Sequence, residues 1–379
     1  LRVPSFVACR RAGVATLSIL FVVAFALTAQ AQSRPATGLT GAELFEAGCA
    51  GCHGPEGAGA ADSTIGFEKP ATYPDFTGCD QTSPETEAGW YAVIHDGGKA
   101  RGFSRIMPAF GELLTPEQIT SLVKYIRGLC KDPAWPPGDL NLPRPLNTEK
   151  AFPESEWVYA SSIDKHTHDA VNTLLYERRI GAKNQVELAV PFAVAHDQVG
   201  VHRGIGDIEL GYKRVLFSSQ RTGSIVSAQG VVTLPSGDQD LGLGAGTTVF
   251  EAFAAVGQIF RAESFVQGQV GIEQPADTEI APRAVFTRWA VGKSFRADHG
   301  LGRMWTPMLE LIADRDLESG APANVDLVPQ IQVTVNRRQH VRAAVGVQVP
   351  VTNRRDRAAQ VGFYLLWDWF DGSLFSGWK

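Results

Sequence analysis

Apolar positions recur along the chain with two different periods, and the change of period falls near residue 150. Ile119, Leu122, Val123 and Ile126 return at helical spacing on one face. They follow Thr115-Pro116-Glu117-Gln118, a helix start with proline at the first helical position and glutamine at the third. Arg127 and Lys131 stand near the negative end of that helix dipole. Thr40-Gly41-Ala42-Glu43 fits a capping box and leads Leu44, Phe45 and Ala47 into an earlier helix. From Ser155 onward the period becomes that of a strand. Val341, Ala343, Val345, Val347, Val349 and Val351 share one face, with Arg342, Ala344, Gly346 and Gln348 on the other. The preceding run sets Leu327, Ile331, Val333 and Val335 against Asp326, Gln330, Gln332, Thr334 and Asn336. The polar stretch Asn336-Arg337-Arg338-Gln339 joins the two as a hairpin.

Similar alternation predicts strands near 156–163, 171–180, 184–195, 205–217, 223–234, 246–259, 263–273, 283–295, 303–314 and 358–370, about twelve in all. Their connections, such as Ser236-Gly237-Asp238-Gln239-Asp240 and Glu318-Ser319-Gly320-Ala321-Pro322, are polar or rich in glycine, so the strands form an antiparallel meander. Between the two regimes, Pro133, Pro136, Pro137, Pro143, Pro145 and Pro153 punctuate residues 132–153, which keep neither period. This segment reads as an extended spacer of restricted flexibility, with Trp135 available to pack on either side. The expected architecture is a small all-α domain at 38–131, a linker at 132–153, and an all-β antiparallel barrel at 154–379.

An alternating face that is apolar suits either a soluble core or lipid. Three features favour the membrane. The strands approach the ten residues that cross lipid at a tilt. The polar face carries Glu187, Asp207, Glu209, Lys213, Glu310 and Arg342. The last run, Val361, Phe363, Leu365, Trp367 and Trp369, ends in aromatics suited to an interfacial girdle. Pro191, Pro307, Pro329 and Pro350 stand against it, since each deletes a ladder hydrogen bond. At the other end, Arg2, Arg10 and Arg11 precede an apolar run from Val14 to Leu27, and Ala29-Gln30-Ala31 gives a small-x-small pattern. Residues 1–31 therefore read as a cleaved export signal, too short to span a bilayer, that carries Cys9 away with it. The net charge of -5 and the lack of any long basic run exclude nucleic acid as a partner.

Export changes the meaning of the cysteines. Cys49-Ala50-Gly51-Cys52-His53 spaces two thiols so that each can add across a vinyl group of haem, with the histidine held under the iron. Zinc or thiol-redox readings of this run would need a second ligand pair or a thioredoxin-like context, and neither surrounds it. Pro108 forces an extended backbone on Met107, which lets a loop swing the thioether toward the iron. His95, and after it His166 or His168, are the other candidates for the sixth ligand, and Met107 read as a core gap-filler is the alternative. Cys79 and Cys130 are either bridged or two free thiols.

The capped helix running into CAGCH, the MPAF stretch and the closing LTPEQITSLVKYIRGL together resemble a class I cytochrome c over about ninety residues. The resemblance implies one covalent haem c in a helical electron carrier, with Cys49 and Cys52 as thioether attachments, His53 as proximal ligand and Met107 as distal ligand. Cys79 and Cys130 depart from the common pattern, and the stretch between Gly59 and Gly89 is irregular. The strand-rich remainder resembles outer-membrane channel-like domains. The combination is similar to fused cytochrome-porin proteins, some of which pass electrons inward from extracellular reductants such as ferrous iron. That likeness implies electron transfer at or across the bacterial outer membrane, with the haem domain on the periplasmic side or in the lumen. It also implies periplasmic electron carriers as partners, with an extracellular redox substrate such as a metal ion. The competing readings are a solute channel or binding barrel with a tethered cytochrome, and a haem enzyme such as a peroxidase, which needs a labile sixth ligand.

Overall fold

The computed structural model describes residues 38–70, 73–196, 200–296, 303–355 and 357–368. The segment read as an export signal, with Cys9, lies outside the described residues, as do Trp369 and Phe370.

Five α-helices build the N-terminal part of the described chain: α1 (Gly41–Gly48), α2 (Ala50–His53), α3 (Cys79–Thr82), α4 (Glu87–Asp96) and α5 (Pro116–Arg127). Reciprocal capping starts α1, where Thr40 N donates to Glu43 Oε2 at 2.7 Å and Glu43 N donates to Thr40 Oγ1 at 3.3 Å. Thr115 and Gln118 repeat the device on α5, at 2.9 and 3.3 Å. The apolar stripe of α5, Ile119, Leu122, Val123 and Ile126, is buried with Leu44 and Phe45 of α1. Gly41 sets how closely the two helices approach, because a Cβ there would stand 2.2 Å from Ser121 O. A disulfide between Cys79 and Cys130, with Cα atoms 5.1 Å apart, ties α3 to the segment after α5.

The rest is one closed antiparallel barrel. Its strands are β1 (Glu156–Asp164), β2 (Ala170–Ile180), β3 (Asn184–His196), β4 (Val201–Ile205), β5 (Ile208–Ser219), β6 (Ser224–Leu234), β7 (Val249–Ile259), β8 (Ser264–Pro275), β9 (Ala284–Lys293), β10 (Phe295–Arg296), β11 (Met304–Asp316), β12 (Asn324–Thr334), β13 (Val341–Pro350) and β14 (Gln360–Asp368). β4 continues into β5 and β9 into β10, so the fourteen segments among the described residues make twelve staves. The ring closes where β14 pairs with β1, with Glu156 opposite Asp368 and Trp157 opposite Trp367. Both ends of the barrel chain therefore lie at the same mouth.

Along β11, Met304, Thr306, Met308, Glu310 and Ile312 are buried and point inward, while Trp305, Leu309 and Leu311 are exposed on the outside. The same alternation puts Leu174, Phe192, Leu210, Phe250, Val345 and Phe363 outside, and buries Glu177, Gln185, Lys213, Gln267, Gln332 and Thr334 within. Apolar side chains face out and polar ones face in, the reverse of a soluble barrel. The prolines that argued against these strands sit where ladders break. The pairing of β3 passes from β4 to β5 around Pro191, whose O accepts from Gly206 N at 2.8 Å. Pro307 falls in the gap between β9 and β10, and Pro329 in the gap of the β12–β13 ladder. Pro350 is the last residue of its strand. Three of the four thus stand at an interruption of one neighbouring ladder, and the fourth at a strand end.

The segment expected as a spacer is part of the barrel core instead. Leu140, Leu142, Ala151 and Phe152 are buried. Leu142 packs with Phe265 and Met308. Leu146 packs with Val158, Ala344, Tyr364 and Leu366, and Phe152 with Val215, Ile225, Phe253 and Phe286. These partners come from staves around the whole ring, so residues 140–154 plug the lumen. The plug has no ladder of its own, and inward side chains accept its backbone N–H groups. Leu146 N donates to Gln330 Oε1 at 3.0 Å, Thr148 N to Glu310 Oε1 at 2.7 Å and Glu154 N to Gln185 Oε1 at 2.6 Å. Pro143, Pro145 and Pro153 have no N–H to satisfy, which makes them suited to such a place. Arg144, also buried, meets Glu156 at 2.6 Å, Glu177 at 2.8 Å and Glu149 at 3.1 Å. Trp135 is held under the Arg179 guanidinium, 4.5 Å from the ring centre.

Candidate functional site

Cys49, Cys52, His53 and Met107 line one crevice of the helical domain, a cavity of about 400 Å³. The short helix α2 presents the first three on a single turn, and His53 N donates to Cys49 O at 2.8 Å. Met107 joins the lining on a strap that runs from Gly97 to Phe110. The strap is stitched at both ends, since Gly98 N donates to Met107 O at 3.1 Å and Phe110 N to Ile94 O at 2.9 Å. Phe76, Trp90, Val93, Ile94, Phe110 and Ile126 supply apolar walls.

The His53 ring lies 4.7 Å from that of Phe76 and stacks on Tyr73 at 5.3 Å. Burial pushes its pKa down to about 4, so the imidazole is neutral and keeps a lone pair for a metal. Its Nδ1 is buried without a hydrogen-bond partner among the described residues. Burial, and then the neighbouring Cys52, push the Cys49 thiol up to about 11. Two thiols and a neutral imidazole on one turn, with a thioether and apolar side chains lining the same crevice, are a donor set that suits haem.

The other expected ligands are elsewhere. His95 does not line the crevice; its ring stacks on Tyr91 and its Nδ1 lies 2.9 Å from Asp96 Oδ1. His166 and His168 belong to the turn after β1, at the mouth remote from the helical domain. Every residue that lines the crevice falls between Gly48 and Ile126, so the helical domain alone supplies its walls.

What sequence reasoning missed is the contact with the barrel. Glu85 and Arg101 line the crevice and also a second cavity, of about 300 Å³, that separates the helical domain from the barrel mouth. His340 Nε2 lies 3.3 Å from Glu85 Oε2, and Arg101 Nη2 is 3.9 Å from Glu85 Oε1. Burial raises the Glu85 carboxyl, but the hydrogen bond and charge of His340 and the charge of Arg101 together hold it down at about 2. Arg338 donates through Nε and Nη2 to Gly102 O at 3.3 and 3.1 Å and lies over the Phe103 ring at 4.5 Å. Gln220 reaches Glu87 at 2.8 Å and Asp139 at 3.3 Å from another turn of the same mouth. The Arg337-Arg338 pair in a short turn was visible in the sequence, but a solvated turn has the same composition.

Residues 36–126 match the family model described as cytochrome C oxidase, cbb3-type, subunit III. These residues form a c-type cytochrome domain. Such a domain binds haem and transfers electrons, and here it is fused to a twelve-stave barrel. Comparison with curated proteins finds no match. Among solved structures, an outer-membrane channel from Pseudomonas putida F1 is 12% identical, with 59% of this chain and 99% of that chain covered and a TM-score of 0.42. The NanC porin is 7% identical, covering 56% of this chain and 98% of that one, with a TM-score of 0.41. The KdgM porin is 8% identical over 56% and 98%, at 0.39. The reading of the barrel beside the cytochrome domain therefore rests on its own surface and interior.

Proposed function

We propose that the chain is an electron carrier of the bacterial outer membrane. A single haem c, attached through Cys49 and Cys52 and ligated by His53 and Met107, sits at the periplasmic mouth of a plugged barrel. The observation that carries this reading is the meeting of those four side chains in one apolar crevice. Bound haem supplies a one-electron couple. The chain's own part is to offer a neutral imidazole and a thioether, to fill both axial positions, and to keep water from the ring with the apolar walls. Closed coordination favours a carrier over a peroxidase.

The apolar exterior and polar interior support placement in a membrane. A barrel with an even number of staves has both chain ends on the periplasmic side, and the cytochrome domain contacts the mouth where β1 begins and β14 ends. The plug in the lumen weighs against an open solute channel. With the crevice outside the lumen and an apolar band of about 25 Å beyond it, this haem serves one face. Electrons that cross the membrane need a further carrier, and the periplasmic partner docks on the cytochrome side.

Cell fractionation with a haem stain and surface protease tests the reading. Haem is expected in the outer-membrane fraction, with the cytochrome domain protected in intact cells and cut once the outer membrane is opened. Recovery in the soluble periplasm would remove the barrel from the membrane, and redox-independent solute flux through reconstituted protein would restore the channel.

A further inference from the structure

We infer that Arg338, in the barrel turn between β12 and β13, is a positioning residue for the sixth ligand of the haem iron, because it clamps the strap that carries Met107. The inference rests on Met107 being that ligand. Arg338 engages three consecutive strap residues: it donates to Gly102 O at 3.3 and 3.1 Å, its guanidinium covers the Phe103 ring at 4.5 Å, and its own O accepts from Arg101 Nη2 at 3.3 Å. Gly102 has φ 74°, a left-handed conformation that glycine adopts without strain.

The clamped residues are tightly coupled to Met107. Phe103 N donates to Gly98 O at 2.8 Å, and Gly98 N donates to Met107 O at 3.1 Å. Gly98 is wedged between them, since a Cβ there would lie 2.3 Å from Ser104 O and 3.2 Å from Met107 Cβ. Gly98, Phe103 and Met107 all line the crevice. A shift at 102–103 therefore reaches the thioether without slack to absorb it. The clamp is itself rigid, with Arg338 only 6% exposed in a turn where Gln339 N donates to Asn336 O at 3.2 Å and His340 N to Asn336 Oδ1 at 3.0 Å. Groups that orient a ligand tune a metal centre as the ligands do, and a thioether is a weak neutral donor that geometry must hold in place. The barrel then sets the ligation of the haem as well as anchoring its domain.

The test uses the haem-loaded full chain in detergent, in the ferric state. Readouts are the near-infrared charge-transfer band of methionine-bound haem and a titration with imidazole, which competes for the sixth position. Losing a charged hydrogen bond and a stacked ring corresponds to about a tenfold larger Met107-off population. Imidazole should accordingly bind Arg338→Ala about tenfold more tightly than the parent, with a weaker methionine band and a lower midpoint potential. Arg338→Lys, which loses the planar two-pronged contact but keeps charge, and Phe103→Leu, which removes the ring from the other side, should shift in the same direction by less. They carry the test if the alanine variant does not fold. Gln220→Ala, which cuts a contact of the same mouth away from the strap, should match the parent. Parental behaviour in the Arg338 and Phe103 variants overturns the inference, and so does an equal shift in Gln220→Ala, which would mean general loosening. A parent chain without a methionine band would instead overturn the Met107 reading itself, a result visible before any substitution is made.

Discussion

Ligation and charge pairing are decided by single side chains. If Met107 holds the sixth position, Met107→Ala should abolish the methionine band and lower the midpoint potential, because thioether ligation raises the potential; optical redox titration checks both. Glu85 yields a pH prediction. Its carboxyl, held at about 2 against an ordinary 4.5, favours the folded state above pH 4.5, and that contribution is lost as pH falls toward 2. Denaturant unfolding followed at the haem absorbance should therefore show the parent losing stability relative to Glu85→Gln across that window. The Cys49 to His53 run was legible because its chemistry is local, five consecutive residues that position one another. Arg338 was not, because its acceptor Gly102 lies 236 residues away. Only folding brings that pair together.

Among the elements, capped helices and alternating strands were readable to within a few residues, since capping and period are properties of neighbouring positions. The prolines misled as ladder breakers until the ladders were seen to break at Pro191, Pro307 and Pro329. The plug was misread for a different reason. A proline-rich segment with no period has the composition of a spacer, and nothing in it announces that Gln185, Gln330 and Glu310 on distant staves accept its N–H groups. Arg144 pins this element by meeting three carboxylates in a buried setting. Removing the guanidinium leaves the fully buried Glu177 without its ion pair and Glu156 with only the more distant Lys150, at 3.6 Å, so Arg144→Ala should cost about 3–5 kcal/mol, measured by denaturant unfolding in detergent.

At the scale of the whole molecule, a closed barrel with a filled lumen and a haem crevice outside it divides the tasks. On the proposed function the barrel anchors and clamps, and the cytochrome domain carries the electron. Planar-bilayer recordings should find the parent chain non-conducting, whereas a variant with residues 140–154 replaced by a Gly-Ser segment should open a steady conductance. Equal conductance in both would mean that the plug does not seal the lumen. By itself the sequence determined the c-type cytochrome motif, the two secondary-structure regimes and the alternation of the clearest strands, because each is written in residues a few positions apart. The tertiary structure alone decided that the linker fills the barrel, that the helical domain alone lines the crevice, and that a barrel turn grips the Met107 strap. Those contacts join residues far apart in the chain, and no local period or motif records which distant side chain will accept a buried backbone donor.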